Sequence, residues 1–466
     1  MKRKSLLIYL HFGLFLLFSC QKDESRPSPP LVSEILSGTI SSNLSLDPKK
    51  AYMLKGKVFV TNNATLTIPA GVTVEVEKSE DPGSKSALII SKGSKLNVNG
   101  TADQPVIFTS SASSKSPGDW IGIILLGKAP TNYLNAHIKG LNESPNTEFG
   151  GTVSDDNSGS LKYLRIEYAG GLNPLMEAEW ELDMASGLSL ESVGSATSID
   201  HIIVNNSRDD GFQFVGGTVN AKYLIGYNNG DDNFDFDRGY TGKLQFLISY
   251  RNVPSQVAIR ANGMESLNDK DASNILPYTH PVISNMTIIG PEGIGTNLSD
   301  QSQGIYIRKN TRFMVRNSII GGYSNGGLML CSRTKPLLIN NAGSQFKFNL
   351  VNADDNNRTF VYDKDGVGTN IIPDPEVARF ATEFTDEVIE KQAVNKNRII
   401  NSMADFGIKA IYTAGTPDLS LSAESVSASG ANFTDPEYAT FFTEIAFMGA
   451  VGSDNWAGAS KWNTWK

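Results

Sequence analysis

Residues 209–217 read DDGFQFVGG, and residues 231–239 read DDNFDFDRG. Asp209 and Asp231, Asp210 and Asp232, Phe212 and Phe234, Phe214 and Phe236, and Gly217 and Gly239 each stand 22 residues apart. The same step recurs outward from this pair. IDHIIVNN (Ile199 to Asn206) aligns with AKYLIGYN at a spacing of 22, and AKYLIGYNN (Ala221 to Asn229) aligns with LQFLISYRN (Leu244 to Asn252) at 23. The second alignment stacks Tyr227 on Tyr250 and Asn229 on Asn252. Looser copies stand at LKYLRIEYA (Leu161 to Ala169), VISNMTIIG (Val282 to Gly290) and FMVRNSIIGG (Phe313 to Gly322). A fixed period in this range marks a solenoid, and short β-branched runs make it a β-solenoid rather than helical repeats.

The physics of stacking supports this. Each coil supplies short parallel strands whose backbones pair with the coils above and below, so like residues stack, aromatic on aromatic and Asn on Asn. One coil cannot bury its apolar face alone, and the two ends need caps against edge-to-edge association. The fold expected is all-β: a right-handed parallel β-helix with coils of about 22 residues.

The two ends of the chain read differently. Met1-Lys2-Arg3-Lys4 is a basic start, and Leu6 to Phe18 is an apolar run too short to span a bilayer. That is the layout of a secretory signal. Leu17, Ser19 and Cys20 resemble the lipobox of bacterial lipoproteins, which implies that Cys20 is lipidated and becomes the mature N-terminus. Gln21-Lys22-Asp23-Glu24 resembles the export signal of Bacteroidota surface lipoproteins. Asp23 to Glu34 is a Pro/Ser-rich tether. The expected organisation is a signal peptide over 1–19, a lipidated N-terminus and tether over 20–35, the parallel β-helix over 36–370, and a helix-containing segment with a C-terminal cap over 371–466.

GTISSNLSLDPKKAYMLKGKVFVTNNATLTIPAGVTVEV (Gly38 to Val76), KGSKLNVNGTADQPVIFTS and SPGDWIGIILLGKAP carry a further resemblance, together with GSLKYLRIEYAGG and the two Asp-Asp repeats. As a set they resemble a family of Bacteroidota outer-membrane lipoproteins with a right-handed parallel β-helix of pectin-lyase-like architecture. The resemblance implies fold and an outward-facing, lipid-anchored place at the outer membrane. It brings no activity and no catalytic residues with it.

Composition narrows the partners. The formal charge is −8, and removing residues 1–19 with Lys2, Arg3 and Lys4 makes it −11. This balance argues against nucleic acid and anionic lipid as partners. After Cys20 the remaining cysteine is Cys331, so no intramolecular disulfide forms. Its surroundings, GGLMLCSRTKP, suit a small buried hydrophobe.

In the last third, PEVARFATEFTDEVIEKQA places Val377, Phe380, Ala381 and Phe384 on one helical face, started by Pro373 and Asp374. The tail carries Trp456, Trp462 and Trp465, which fit either a plug on the open solenoid end or a platform for stacking on sugar rings.

The candidate chemistry lies in the repeat itself. Asp209, Asp210, Asp231, Asp232, Asp235 and Asp237 fall on corresponding turns of adjacent coils, and converging carboxylates suit Ca²⁺. Asp is also a common turn former, so the same residues fit plain corner chemistry. Glu265, Asp269 and Asp271 form a second acidic loop. His137, His201 and His280 lie more than sixty residues apart and match no metal motif. No P-loop, dinucleotide fingerprint or nucleophile elbow is present.

Two functions fit. The first is a non-catalytic surface lipoprotein that binds a polysaccharide or an outer-membrane protein partner. The second is a carbohydrate-active β-helix enzyme, lyase or glycoside hydrolase, with acids from the Asp cluster and Arg260, Arg308 or Lys309 as base. The missing catalytic motif favours the first.

Overall fold

The computed structural model describes residues 33–138, 141, 143–171, 186–255, 258, 260–291, 301–368, 370–381, 395–413, 415–458 and 460–465. Cys20, the leader and most of the tether lie outside these residues, as does Phe384. Among the described residues, no helix is long and apolar enough to cross a membrane.

The chain winds as a right-handed parallel β-helix. Each central coil carries one short strand and one long strand. The short strands include Leu188–Glu191, Phe212–Val215, Phe234–Asp237, Met264–Leu267 and Ile305–Arg308, each paired in parallel with the next. They form the first sheet. The long strands include Gly159–Glu167, Ser198–Asn205, Asn220–Tyr227, Lys243–Tyr250 and Val282–Ile289, also parallel and in register.

Every long strand bends once. Tyr163, His201, Tyr223, Phe246 and Asn285 occupy the bend with φ between +49° and +62°. This left-handed conformation is uncommon for bulky side chains, and here one corner position is held in it coil after coil. The bend divides each long strand into two arms, so the cross-section has three sides.

The repeat in the sequence is the repeat in space. Phe212 lies beside Phe234 and Phe214 beside Phe236, with ring centroids 5.2 and 5.0 Å apart inside the coil. Gly217 and Gly239 both turn the chain at positive φ, +83° and +91°, which explains why glycine recurs there. Tyr227 stacks beside Tyr250 as expected. The asparagine pairing is displaced by one residue. Asn228, not Asn229, bonds Asn252 at 2.8 Å, while Asn229 turns inward to accept the Ser207 N–H and to donate to Asn233.

The period of 22–23 holds only in the central coils. Insertions lengthen the others, as where Glu265 pairs with Tyr306, 41 residues on. Strands run from Ser33–Ile40 to Arg398–Ile399, the latter pairing with Leu350–Val351. The β-helix therefore passes the expected boundary at 370. The helical segment is an insertion within the last coil: the chain leaves through Ile371–Pro373, antiparallel to Phe360–Asp363, and rejoins at Arg398.

The expected helix spans Pro375–Ala381, and the Asp374 carboxylate accepts the N–H groups of Glu376 and Val377 at its start. Val377 and Leu338 reach into the main core beside Phe346 and Phe360. These short helices, Lys335–Ile339 and Pro375–Ala381, close the C-terminal end.

The tryptophan tail does something else. Instead of plugging the end, it runs along the flank. Outward-facing Ile203, Ile225 and Ile248 stand in register up the third side, with Ile319 in the same row beyond Thr287 and Ile289 in the row of Tyr227 and Tyr250, and they pack with Met403, Phe406, Leu419, Val451, Trp462 and Trp465. Trp462 and Trp465 are 2% and 5% exposed, so neither presents a face to a sugar. Trp456 and Trp462 stand edge-on against His201, whose ring stacks between Tyr163 and Tyr223 at the corner.

Side-chain amides fasten the tail as a strand partner would. Gln245 donates from Nε2 to the Thr443 carbonyl and accepts the Thr443 N–H at Oε1, both at 2.8 Å. Asn317 grips Asn432 in the same two-bond manner. Gln245→Leu removes both bonds and leaves the Thr443 N–H and carbonyl without their protein partner. We expect this to cost about 2 kcal/mol of local stability, with limited proteolysis cutting the tail roughly thirtyfold faster while the β-helix stays intact.

Candidate functional site

Along the strand Phe234–Asp237, phenylalanines and aspartates alternate. Phe234 and Phe236 point into the coil, so Asp235 and Asp237 point out. These two acids therefore sit on the outer face of the first sheet rather than on a turn as the sequence reading had them. Register extends the row. Ser189, Gln213, Asp235, Glu265 and Tyr306 stand one above another, with Glu191, Val215 and Asp237 alongside.

This outer face is covered. Ala136, Ile138 and Phe149 of the long loop after Ala129 pack with Ile89, Ile124, Leu126 and Val215. Glu191 is fully buried, and Asp235 and Asp237 are 7% and 2% exposed. Contact with solvent is made at Glu265 and at Asp209 and Asp231, all half-buried.

Hydrogen bonds organise the middle of the row. Gln213 donates to Asp235 at 3.3 Å. Arg308 donates to Glu265 at 2.8 Å, and Asn262 donates to the other oxygen of that carboxylate. The Tyr306 hydroxyl donates to Asp363.

Asp235 and Asp237 are buried neighbours on one face of the same strand, where each carboxyl disfavours a second negative charge beside it. Burial pushes the Asp237 carboxyl up to about 7, opposed by the nearby Arg238 guanidinium. Burial, then the Asp237 charge, holds Asp235 well above the usual carboxylate range. Glu191 is raised by burial and by Asp237, and neither of its oxygens has a hydrogen-bond partner among the described residues.

The turn acids have a different job. Asp210 accepts the Asp232 N–H at 3.0 Å, Asp232 accepts the Asn262 N–H at 2.5 Å, and Asn262 accepts the Gln303 N–H at 2.9 Å. Each side chain thus caps the backbone of the next coil, the corner chemistry that Asp-Asp-Gly and Asp-Asp-Asn allow. Asp232→Ala should leave the Asn262 N–H buried without an acceptor and cost about 1–3 kcal/mol, while Asp232→Asn keeps the acceptor and most of the stability. Urea unfolding of the two variants checks this.

The six acids considered as one calcium site therefore separate. Oxygens of Asp209, Asp210 and Asp231 lie within 4.8 Å of one another and form the described set able to hold a cation. Asp232, Asp235 and Asp237 fall outside it, because the first caps a turn and the others face away along the sheet. In the second acidic loop, Asp269 accepts the N–H groups of Asp271 and Ser273, again turn chemistry.

The candidate bases are placed apart. Arg308 is in the row, Arg260 bonds the Val367 carbonyl, and the Lys309 N–H points to the buried Cys331 sulfur. His137 pairs across a loop, His201 is stacked in the corner, and His280 lines a groove elsewhere. Glu191 and Gln213 were missed by the sequence reading. The alternation of apolar and polar residues in LSLE and FQFV was the signal that places them outward.

A three-sided parallel β-helix with buried acids on the outer face of one sheet places the chain among parallel β-helix solenoid proteins. The profile of the pectate-lyase like beta helix domain matches residues 38–400, and the chain belongs to that family. No curated protein and no solved structure matches it.

Proposed function

We propose that this protein acts on a polysaccharide by acid–base chemistry at the outer face of the first sheet, and that it works at the cell surface, held to the outer membrane through lipidated Cys20. The observation that carries the reading is the buried Asp235–Asp237 pair, outward on the first sheet and one strand away from Glu265, with burial raising both carboxyls. A pair that keeps a proton near neutral pH is a proton donor for a departing glycosidic oxygen.

Glu265 is the second carboxylate of the reaction. Arg308 and Asn262 fix its position, and it reaches solvent where Asp235 does not. Adjacent strands stand about 4.8 Å apart, close to the ~5 Å carboxyl separation of retaining hydrolysis. The pair gives its proton to the leaving oxygen as the glycosidic bond breaks and a Glu265 oxygen bonds the sugar carbon; water then attacks that carbon, loses a proton to the pair and releases the Glu265 carboxylate. A binding role without catalysis draws less support, because Trp462 and Trp465, two of the tail tryptophans that could stack on sugar rings, are buried against the flank.

Incubation with a panel of polysaccharides, with and without Ca²⁺, tests this. New reducing ends without Ca²⁺ fit the hydrolytic reading, and unsaturated products would replace it with lyase chemistry. Retention in affinity gels with no product would return the protein to the binding class.

A further inference from the structure

Away from the acidic row, a groove of about 600 Å³ is lined by Thr241, Leu276, Pro277, Tyr278, His280 and Arg312. Its chemistry differs from the row in sign. The Arg312 guanidinium lies over the Tyr278 ring, 3.1 Å from its centroid. Arg165, Arg308 and Arg316 all pair with carboxylates. Arg312 has no carboxylate within 4 Å among the described residues. Its side chain makes one hydrogen bond to protein, from Nη1 to the Asn310 carbonyl at 3.0 Å. A guanidinium has five N–H donors in one plane, so most of this fork is unspent.

The walls are built for a flat ligand. Leu276 is 68% exposed and, with Pro277, gives an apolar side. Gly343 forms another part of the lining, where an added side chain would meet the Arg312 stem at 3.3 Å. His280 Nε2 is buried there with no hydrogen-bond partner among the described residues. Glu437, the acid whose charge reaches His280, is already engaged by Lys243 at 3.7 Å.

We propose that this groove is a binding site for a small aromatic carboxylate. The ring lies against Leu276 and Pro277, and the carboxylate meets the in-plane donors of Arg312. An unpaired cation stacked on an aromatic ring, at the mouth of an apolar groove in an acidic protein, selects that combination of charge and flatness. The site does not depend on the acid–base reading of the first sheet.

Fluorine NMR of 4-fluorobenzoate with the purified protein tests it, with 4-fluorobenzyl alcohol as the neutral probe. We expect line broadening for the carboxylate, at least about tenfold weaker binding of the alcohol, and a loss of similar size in Arg312→Leu. Arg312→Lys keeps the charge but not the fork and should recover only part of it. Should Arg312→Leu fail to fold, Leu276→Ser removes the exposed apolar wall without touching the core and should weaken binding several-fold. Equal binding of the two probes, full binding by Arg312→Leu, or displacement of the benzoate by galacturonate at equal concentration would each overturn the proposal. Asp235→Asn should leave the broadening unchanged.

Discussion

Replacing Asp235 and Asp237 together by asparagine should abolish polysaccharide cleavage, a loss of about 10²–10⁴-fold or more, while the protein remains folded. Asparagine keeps the shape but cannot hold a transferable proton. The same variant should change how stability responds to pH. Both carboxyls are raised in the folded state, so the native protein binds protons that the unfolded chain gives up. Their stabilisation is present in full below the unfolded pKa of ~4 and is lost as pH rises toward the folded value, about 7 for Asp237. The parent protein should therefore lose stability from about pH 4 to pH 7, and the double variant should show a flatter profile. Thermal melts across that range, read beside product assays, separate the two effects. Full cleavage by a folded double variant would remove the pair from the mechanism.

Phe236→Ala should be among the most destabilising single changes, at about 3–5 kcal/mol. The ring is fully buried, stacks on Phe214 at 5.0 Å and touches Tyr240 at 5.4 Å. Truncation empties one rung of an aromatic column inside the coil, and in-register strands cannot shift sideways to fill it. Because neighbouring coils rely on each other for burial, the loss should spread along the stack rather than stay local. Phe236→Leu should retain most of the loss-free volume and cost less. Chemical denaturation of the two variants gives the comparison, and equal midpoints would show that the column does not carry the central coils.

Much of the fold was legible because a solenoid writes its contacts into sequence at a fixed spacing. Phe212 with Phe234, Ile199 with Ala221 and Tyr227 with Tyr250 are neighbours in space and one period apart in the chain. Where insertions break the period, the contacts disappear from view, as with Glu265 and Tyr306. The candidate site was half legible. Alternation in FDFD orients Asp235 and Asp237, yet their closeness to Glu265 and Glu191 depends on register across coils of unequal length.

By itself, then, the sequence determined the repeat, the parallel strands and the inward phenylalanines, since these follow from local alternation and a constant step. It also held an unread sign of the covered flank. The runs HIIV, LIGY and LISY place apolar residues on both faces, as strands buried on two sides require. What covers each outer face was decided only by tertiary structure: the tail over the isoleucine stripe, and the loop with Ala136 and Phe149 over the first sheet. Those partners come from distant, non-repeating segments whose docking no local pattern specifies. The same distant packing sets the burial of Asp235, Asp237 and Glu191, and burial is what gives ordinary carboxyls their raised affinity for protons.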